Sequence, residues 1–413
     1  MQPTDIVILS NGPGEVATWV RPVVKALAHT IDGIIRISVL LSPCPHSTGR
    51  EAAIASSYGE VDRVLPASDF FAFLLWGKTK DSWQWHQRGI VVFLGGDQFY
   101  TVAIAKRLGY ASLVYAEWDA RWYRFIDRFA VMNQQAIEKV PKSYHHKFSL
   151  VGDLMADVAL EVGSSEPDSD VPVVGLLVGS KPAKLAQGVP LCLAIAEQVQ
   201  QQPPQTRFII PVAPTLDLPT LEQYATQEHN SLIANFGNVT AKLVFPADEP
   251  PYLLTSGGVE IELIMQFPAY QRIAASRLCL TTVGANTAEL TALRVPMIVL
   301  LPTQQLDAMR SWDGLPGILA NMPGVGSMFA KLINWLVLRQ KRLFAWPNIW
   351  AGTEIVPELV GKLEPAEVAG LVLDYLNQPQ KLKSMSDRLG AVRGQTGAAQ
   401  QIADIIKQEI TKT

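Results

Sequence analysis

The feature that most constrains this chain is a repeated unit in which an apolar strand ends in a glycine-containing turn and a helix follows. Residues 6–10 run into the turn at residues 11–15, a helical pattern follows, and residues 35–41 form the next apolar strand. Strand, turn, helix and strand in that order form the βαβ unit of a parallel sheet. The unit recurs at residues 90–94, 112–115 and 148–151. The first part of the chain is therefore predicted to be a doubly wound α/β domain.

The same alternation restarts after residues 161–170, which are small, acidic and proline-containing and are typical of a linker. Further apolar strands are predicted at residues 171–178, 207–212, 278–282 and 296–301. The predicted organisation is a Rossmann-like domain over residues 1–162, a second over 171–390, and a C-terminal helix over 391–413 that packs back on the first. Two such α/β domains facing a cleft would bind ligands at the carboxyl ends of their strands.

Composition and charge exclude several classes of function. The 413 residues carry 35 Lys and Arg against 38 Asp and Glu, and this net charge of -3 disfavours binding to nucleic-acid phosphates. The 3 cysteines are far apart in the sequence, so neither a disulfide framework nor a zinc site is predicted. No apolar run reaches the roughly 18 residues of a membrane span, and no signal peptide precedes the first strand. A cytoplasmic protein that is soluble or peripheral on the inner face of a membrane is expected.

Two turns in the first half hold candidate catalytic and binding residues. Gly12 and Gly14 would let backbone N–H groups approach an anionic ligand at the start of a helix. The alternative is a tight turn in which the helix dipole stabilises Glu15. Asp97 is a candidate general base for a substrate hydroxyl, and equally a candidate N-cap of the helix that follows it. The glycine spacing differs from the dinucleotide fingerprint, so no nicotinamide cofactor is predicted.

A third turn, Gly179-Ser180-Lys181, follows the first strand of the second half. A cation beside exposed backbone donors suits a diphosphate, or a leaving group that gains negative charge. The turn is not a Walker A loop, because the spaced first glycine is missing. A solvated lysine in a strand-to-helix turn is the alternative interpretation of Lys181.

A fourth turn, at Gly284, is the most informative of these segments. It opens a helix through Asn286 and Thr287, and a helix N-terminus at a strand end suits a phosphate group. Glu289, expected in the first helical turn, could accept hydrogen bonds from ribose hydroxyls. A capped helix with a glutamate stabilised by the helix dipole is the alternative. The triplet at residues 168–170 has the spacing of a metal-binding carboxylate pair but lies in the linker, so no metal or cofactor is predicted.

Two stretches that mix aromatic and basic residues suggest contact with a membrane surface. One is Phe70–Trp76 with the lysines after it, and the other lies between Leu332 and Trp350. An interdomain contact or a homodimer interface is the alternative for both. The long loop from Gln304 to Met322 is a further functional candidate, a lid over the substrate, because loops of this length are uncommon unless they are functional.

Four segments carry a resemblance to a known family. Residues 148–157 (FSLVGDLMAD) resemble a strand ending in Gly-His-x-Met-Ala-Asp, and residues 176–181 (LLVGSK) resemble Leu-Leu-Pro-Gly-Ser-Arg. Residues 284–299 resemble a Gly-Thr-Ala-Thr-Leu-Glu helix and the Pro-Met-Val-Val strand after it, and residues 346–358 (WPNIWAGTEIVPE) resemble Leu-Pro-Asn-Leu-Leu-Ala-Gly-Arg-Glu-Leu-Val-x-Glu. These motifs are similar to those of the lipid-A-disaccharide synthase family, glycosyltransferases of the two-Rossmann (GT-B) architecture. The resemblance runs thinly along almost the whole chain.

The resemblance implies a role for several residues of the second half. Lys181 would face the diphosphate of a sugar nucleotide, where the family has an arginine, and Glu289 would bind the ribose. Asn348, Glu354 and Glu358 would line the nucleotide-sugar pocket. A lysine cannot grip a diphosphate with two parallel hydrogen bonds as an arginine does.

In the first half, the resemblance implies that Asp97 is the base that deprotonates the acceptor. Phe70–Trp76 would be a membrane-docking element near the acceptor. Glu15 is kept from the family's Ser-Gly-Glu-x-Ser-Gly-Asp, while the later aspartate of that motif is missing here. The family also has two carboxylates where residues 95–99 have one.

Together with the resemblance, these observations predict an inverting, metal-independent glycosyltransferase without a cofactor. The predicted donor is a UDP-sugar, with an N-acetylglucosamine-type sugar as one candidate, and the predicted acceptor is lipid-linked. One alternative is a sugar-nucleotide epimerase or hydrolase on the same fold. Another is a non-catalytic protein that binds nucleotide sugars.

Overall fold

The computed structural model of the chain describes residues 3–31, 33–44, 47, 49–162, 171–302, 343–392 and 396–412. Three segments named above lie outside these described residues. They are the Asp-Ser-Asp triplet at residues 168–170, the Gln304 to Met322 loop, and the part of the Leu332 to Trp350 stretch before residue 343. The chain divides into two compact units. Unit 1 comprises Met1–Glu161 and Gly394–Thr413, and unit 2 comprises Val162–Arg393.

Unit 1 is built on a parallel sheet that has seven strands in the described part of the chain. The strands are β1 (Thr4–Ser10), β2 (Ile35–Leu41), β3 (Arg63–Leu65), β4 (Arg88–Phe93), β5 (Ala111–Ala116), β6 (Arg128–Val131) and β7 (Phe148–Leu150). The α-helices are α1 (Pro13–Glu15), α2 (Arg21–Thr30), α3 (Glu51–Ser56), α4 (Phe70–Trp76), α5 (Gln98–Leu108), α6 (Gln134–Glu138) and the C-terminal helix (Ala398–Lys412). A π-helical turn spans Val16–Val20, and 3₁₀ turns span Lys142–Lys147 and Leu154–Glu161.

The order of these strands is β3-β2-β1-β4-β5-β6-β7, so the chain order reverses between β1 and β4. All seven residues of β1 are buried. Ile6 and Ile8 contribute to the core on one face of the sheet, and Val7 and Leu9 to the core on the other. Burial on both faces explains the apolar run at residues 6–9 in the middle of the strand. The carboxyl ends of β1 and β4 form the switch point at which doubly wound sheets bind ligands.

The C-terminal helix completes the core of unit 1. Its Ile402 and Ile406 are fully buried in the same cluster as Ile6 and Ile8. The buried carboxylate of Asp157 accepts hydrogen bonds from the backbone N–H groups of Gly397 and, at 2.7 Å, Ala399. A carboxylate at a helix N-terminus satisfies donors that have no partner inside the helix.

Replacing Asp157 with alanine is expected to lower the free energy of unfolding of unit 1 by about 2–3 kcal/mol, because two buried N–H groups lose their acceptor. Urea denaturation followed by circular dichroism measures the change. Asp404→Ala, at an exposed site on the same helix, is the matched control and should stay within about 0.5 kcal/mol of the wild type. Equal stabilities of the two variants would contradict the role given to Asp157.

Unit 2 is built on a sheet of eight strands in the described residues. The strands are β8 (Val173–Leu177), β9 (Arg207–Pro211), β10 (Ala241–Val244), β11 (Tyr252–Thr255), β12 (Glu260–Ile264), β13 (Leu278–Thr282), β14 (Met297–Pro302) and β15 (Glu358–Gly361). The α-helices are α7 (Pro182–Gln200), α8 (Leu218–Tyr224), α9 (Tyr270–Ala274), α10 (Ala285–Ala292), α11 (Trp346–Ala351), α12 (Pro365–Leu376) and α13 (Pro379–Val392), and a 3₁₀ turn spans Ser231–Phe236.

The strand order of unit 2 is β10-β11-β12-β9-β8-β13-β14-β15. The pairs β10–β11 and β11–β12 are antiparallel, and the other pairs are parallel. The chain order reverses between β8 and β13, so the turns after these two strands lie together at the second switch point.

The predicted fold class, two Rossmann-like doubly wound α/β domains, is confirmed. The strands predicted at residues 35–41 and 278–282 have the observed bounds. The apolar residues after Pro190 predict a helix over residues 190–200; in the structure this helix begins at Pro182, and Pro190 lies inside it. Proline is favoured at the first position of a helix, and the structure uses the earlier of the two prolines there. Within the described ranges, no helix is both long and apolar enough to cross a membrane.

Candidate functional site

Glu15 occupies the switch point of unit 1. A Cβ atom built on Gly12 would lie 2.4 Å from Glu15 Oε2, and one built on Gly95 would lie 3.2 Å from Glu15 Cγ. Gly95 also has a φ of 136°, which side-chain-bearing residues rarely adopt. The two glycines therefore leave the space in which the half-buried Glu15 side chain lies, at the ends of β1 and β4.

Polar groups at this switch point keep unused hydrogen-bonding capacity. The Glu15 carboxylate has no hydrogen-bond or ion-pair partner among the described residues, and neither has the buried Oδ1 atom of Asn11. Buried polar atoms are nearly always paired, so an unpaired one is a candidate contact for a ligand. The π-helical turn Val16–Val20 follows directly, and such turns are frequent at functional sites.

Asp97 and Gly14 differ from Glu15 and Gly12 in their surroundings. Asp97 is exposed and is the N-cap of α5, where its Oδ1 atom accepts a hydrogen bond of 2.9 Å from the N–H group of Phe99. The capping alternative is therefore the one seen in the structure, while a role as base stays a prediction. No atom lies within 4 Å of a Cβ built on Gly14, so glycine is not required there.

Lys184, which sequence reasoning missed, joins the two turns at the switch point of unit 2. Its Nζ atom donates a hydrogen bond of 2.5 Å to the carbonyl oxygen of Val283 and lies 2.9 Å from a Cβ built on Gly284. A Cβ built on Gly179 would lie 3.2 Å from Lys184 Cδ. Burial and the charge of Lys181 lower the pKa of Lys184. The only signal for Lys184 in the sequence was its position three residues after Lys181, a spacing that brings side chains together at the start of a helix.

Lys181 is exposed and is the N-cap of α7, and the Ser180 side chain before it is half-buried. The Oγ1 atom of Thr282, at the end of β13, is buried and has no hydrogen-bond partner in the described ranges. A Cβ built on Gly179 would lie 3.6 Å from it. The end of β13 thus offers an unused hydroxyl beside the turn at Gly179.

Asn286 and Thr287, at the start of α10, have different surroundings. The Asn286 side chain is half-buried and has no hydrogen-bond partner among the residues described. Thr287 is fully buried, and its hydroxyl donates to the carbonyl of Gly284 at 2.9 Å and accepts the N–H of Trp346 at 3.3 Å. These bonds of the hydroxyl hold the turn to α11, and a ligand contact of Thr287 stays a prediction.

Glu289 lies one turn further along α10 than predicted. The helix begins at Ala285 and has no acidic residue in its first turn. Glu289 is half-buried, and no described residue bonds its carboxyl group. Desolvation by burial raises the pKa of Glu289 to about 7. Such a shifted, unpartnered carboxyl group is typical of a functional site.

Asn348 and Glu358 bond to each other and to the backbone. Asn348 is fully buried, its Oδ1 accepts the N–H groups of Ile355 and Val356, and its Nδ2 donates to the carbonyl of Val356. Its Nδ2 also donates to Glu358 Oε1 at 2.7 Å. Every polar atom of the Asn348 side chain is thus used internally, and its place in the nucleotide pocket stays a prediction.

Glu358 satisfies the N-terminus of α11. Its carboxylate accepts the N–H groups of Phe344, at 2.9 Å, and Ala345, at 2.7 Å, as well as the Asn348 amide. These bonds explain the Asn-to-Glu spacing of the motif by local structure, and the predicted ligand contact of Glu358 has no support in them. Glu354 is exposed, and its carboxylate has no partner in the described part of the chain.

The aromatic stretch Phe70–Trp76 forms α4 and has two faces. Phe70 and Phe73 are fully buried in the core of unit 1, while Phe71, Leu75 and Trp76 are 48%, 57% and 66% exposed. Only the second set is available to a membrane or a partner. No group of three His, Cys, Asp or Glu side chains in the described ranges could hold a metal ion, and metal independence stays a prediction.

Solved structures of other proteins share this fold. A putative UDP-N-acetylglucosamine 2-epimerase from Listeria monocytogenes superposes with a TM-score of 0.55 at 12% identity, covering 100% of this chain and 98% of that one. The UDP-GlcNAc 2-epimerase from Neisseria meningitidis, solved with UDP-GlcNAc bound, gives 0.51 at 14% identity and covers 99% and 100%. The chain thus has the two-Rossmann fold of the GT-B class.

No family model matches the chain. Several curated proteins are similar to it in sequence. The lipid-A-disaccharide synthase of Syntrophus aciditrophicus is 23% identical over 266 residues, which are 62% of this chain and 56% of that protein. The synthase of Anaeromyxobacter sp. is 26% identical over 235 residues, which are 56% of this chain and 48% of that protein. The synthase of Geobacter metallireducens is 24% identical over 329 residues, which are 75% of this chain and 71% of that protein. The chain spans about half the length of the first of these relatives. Its sequence is similar to those of lipid-A-disaccharide synthases.

Proposed function

We propose that the protein is an inverting, metal-independent glycosyltransferase that moves a sugar from a UDP-sugar to a lipid-borne hydroxyl group at the inner face of a membrane. The observation that carries the proposal is a carboxyl group at each switch point, Glu15 in unit 1 and Glu289 in unit 2, that no described residue bonds. Unit 1 offers a carboxylate for an acceptor hydroxyl, and unit 2 offers lysines, a helix N-terminus and a second carboxyl group for a nucleotide sugar. The curated relatives, all lipid-A-disaccharide synthases, support a glycolipid product.

The donor would bind at the switch point of unit 2. Its diphosphate would lie against the N-terminus of α10 and the turn at Gly179, where backbone N–H groups and lysines favour negative charge. Asn286 would donate to a phosphate oxygen, and Glu289 would accept the ribose hydroxyls. As the bond between the sugar and UDP breaks, the electron pair stays on the diphosphate, and these fixed positive groups stabilise that charge.

Glu15 is a better candidate than Asp97 for the general base. It is half-buried, held in place by Gly12 and Gly95, and has both carboxylate oxygens available. Asp97 uses one oxygen to cap α5. In the proposed reaction, the acceptor oxygen attacks the anomeric carbon from the face opposite the leaving group, and Glu15 takes the proton of the acceptor hydroxyl.

A peripheral membrane contact would be made by the exposed face of α4. Phe71, Leu75 and Trp76 point away from the core of unit 1, and the exposed lysines Lys78 and Lys80 follow them. Aromatic and basic side chains together suit an anionic lipid surface.

A sugar-nucleotide epimerase is the second candidate, because the solved structures named above are UDP-GlcNAc 2-epimerases of this fold. The two candidates differ in what they require. A transferase needs an acceptor for turnover, whereas an epimerase converts the sugar nucleotide alone.

The test is a calorimetric titration with UDP, UDP-N-acetylglucosamine, UDP-glucose and GDP-mannose, followed by turnover assays with and without acyl-glycolipid micelles. We expect selective binding of uridine nucleotides and release of UDP that depends on the acceptor. Conversion of UDP-N-acetylglucosamine without acceptor would favour the epimerase. Binding without any turnover would favour a non-catalytic protein, and no binding would contradict both enzyme proposals.

A further inference from the structure

Lys184 carries a positive charge that no described carboxylate neutralises. Its Nζ atom bonds to the Val283 carbonyl at 2.5 Å, and no ion pair involves it. The side chain is half-buried beside the turns at Gly179 and Gly284. Removing an ammonium group from water costs free energy unless an opposite charge offsets it. The fold therefore maintains an uncompensated cation at the switch point of unit 2.

Two neighbours make the surroundings of this cation more positive still. The N-terminus of α10 begins one residue after Gly284 and adds the positive end of its helix dipole. Lys181 is close enough to lower the pKa of Lys184 by repulsion. The buried hydroxyl of Thr282, which has no partner, lies against the same turn. Repulsive positive groups held together in this way are typical of a site that binds an anion.

We propose that Lys184, rather than Lys181, is the fixed cation that binds the diphosphate of the nucleotide sugar, a role that rests on the function proposed above. Lys181 is exposed, so water weakens its attraction to a bound anion. Lys184 is half-buried and already positioned by its bond to Val283, so little side-chain freedom remains to be lost when it binds a ligand. During transfer, the same ammonium group stabilises the negative charge left on UDP when the sugar departs.

The position of Lys184 also explains why residue 284 is glycine. A side chain there would lie 2.9 Å from Lys184 Nζ and would push the ammonium group out of the turn. The φ of Gly284 is 144°, which also disfavours other residues. Gly284 thus keeps open the space in which the cation and an anion can meet.

The test is a calorimetric titration of UDP and uridine against Lys184→Gln, Lys184→Arg, Lys181→Gln and the wild type. Glutamine at position 184 keeps an N–H donor, on a side chain one bond shorter than lysine, but has no charge. Lys184→Gln is expected to weaken UDP binding at least about 30-fold, while Lys181→Gln weakens it less than about fivefold. Lys184→Arg should restore part of the affinity, and uridine, which lacks phosphate, should bind all variants alike. Lys242→Gln, at an exposed position on β10, is the matched control and should bind as the wild type does.

The outcomes separate this inference from the proposed function. If the wild type binds UDP and Lys184→Gln binds it within threefold of the same affinity, Lys184 does not hold the diphosphate and the proposed function stands. If the wild type binds no UDP, both fail. The melting temperature of Lys184→Gln without ligand distinguishes a structural role of Lys184. Loss of an uncompensated charge should leave this melting temperature unchanged or raise it. A lower melting temperature, with equal losses of UDP and uridine binding, would overturn the inference.

Discussion

Replacement of Glu15 by glutamine should lower kcat for sugar transfer by roughly 100- to 10,000-fold, the usual contribution of a general base. Glutamine fits the space left by Gly12 and Gly95 but cannot take a proton. Affinity for UDP should not change, because Glu15 belongs to unit 1 and the proposed donor groups belong to unit 2. Turnover measured with saturating donor and acceptor, beside UDP titration of the same preparation, tests both statements.

Asp97→Asn is the matched comparison for Glu15→Gln. Asparagine is as good an N-cap as aspartate and can still accept the N–H of Phe99, so α5 should keep its start. We expect this variant to lose less than about tenfold in kcat. The reverse ranking, with Glu15→Gln active and Asp97→Asn inactive, would assign the base to Asp97.

Glu289→Gln should have opposite effects on stability and on binding. Burial raises the pKa of Glu289 to about 7 in the folded chain, above its ordinary value of 4.5. The protonated carboxyl group therefore favours the folded state, and this contribution is complete below pH 4.5 and is lost as the pH rises through 7. At pH 8 glutamine removes the cost of the buried charge, so the free energy of unfolding should rise by roughly 1–3 kcal/mol. At pH 4 the variant and the wild type should be equally stable.

UDP affinity should fall about 10- to 100-fold in Glu289→Gln, since the ribose hydroxyls lose a charged acceptor. In the wild type, UDP affinity should increase as the pH rises from 6 to 8 and the carboxyl group ionises. That increase should be absent in the variant. Urea denaturation at pH 4, 6, 7 and 8 and calorimetry at pH 6, 7 and 8 measure these effects, and a variant that matches the wild type in both stability and UDP affinity throughout would remove Glu289 from the site.

Several elements could be predicted from the sequence because their physical causes are local. The strands at residues 35–41 and 278–282 are parallel and largely buried, so most of their residues are apolar. The glycine turns after β1, β4, β8 and β13 could be located because each follows directly on an apolar strand. Their place at two switch points follows once the strands are ordered in a doubly wound sheet.

The environment of individual side chains could not be predicted in this way. Asn348 and Glu358 stand in a polar motif, and nothing in one sequence distinguishes an amide that faces a ligand from one bonded to the backbone seven residues later. Lys184 obtains its position from Val283, which is 99 residues away in the chain. Asp97 had two compatible roles, and only the hydrogen bond to Phe99 showed that it caps a helix.

The discontinuity of unit 1 affects the order in which the chain acquires structure. Residues 394–413 belong to unit 1 but are synthesised after the whole of unit 2. Until they leave the ribosome, the side of the sheet that holds Ile6 and Ile8 lacks Ile402 and Ile406, and the Asp157 carboxylate lacks the backbone donors it binds. Unit 2 is contiguous in sequence and has all of its strands by then. During vectorial synthesis unit 1 is thus completed after unit 2, and one side of its β-sheet stays uncovered until the C-terminal helix leaves the ribosome.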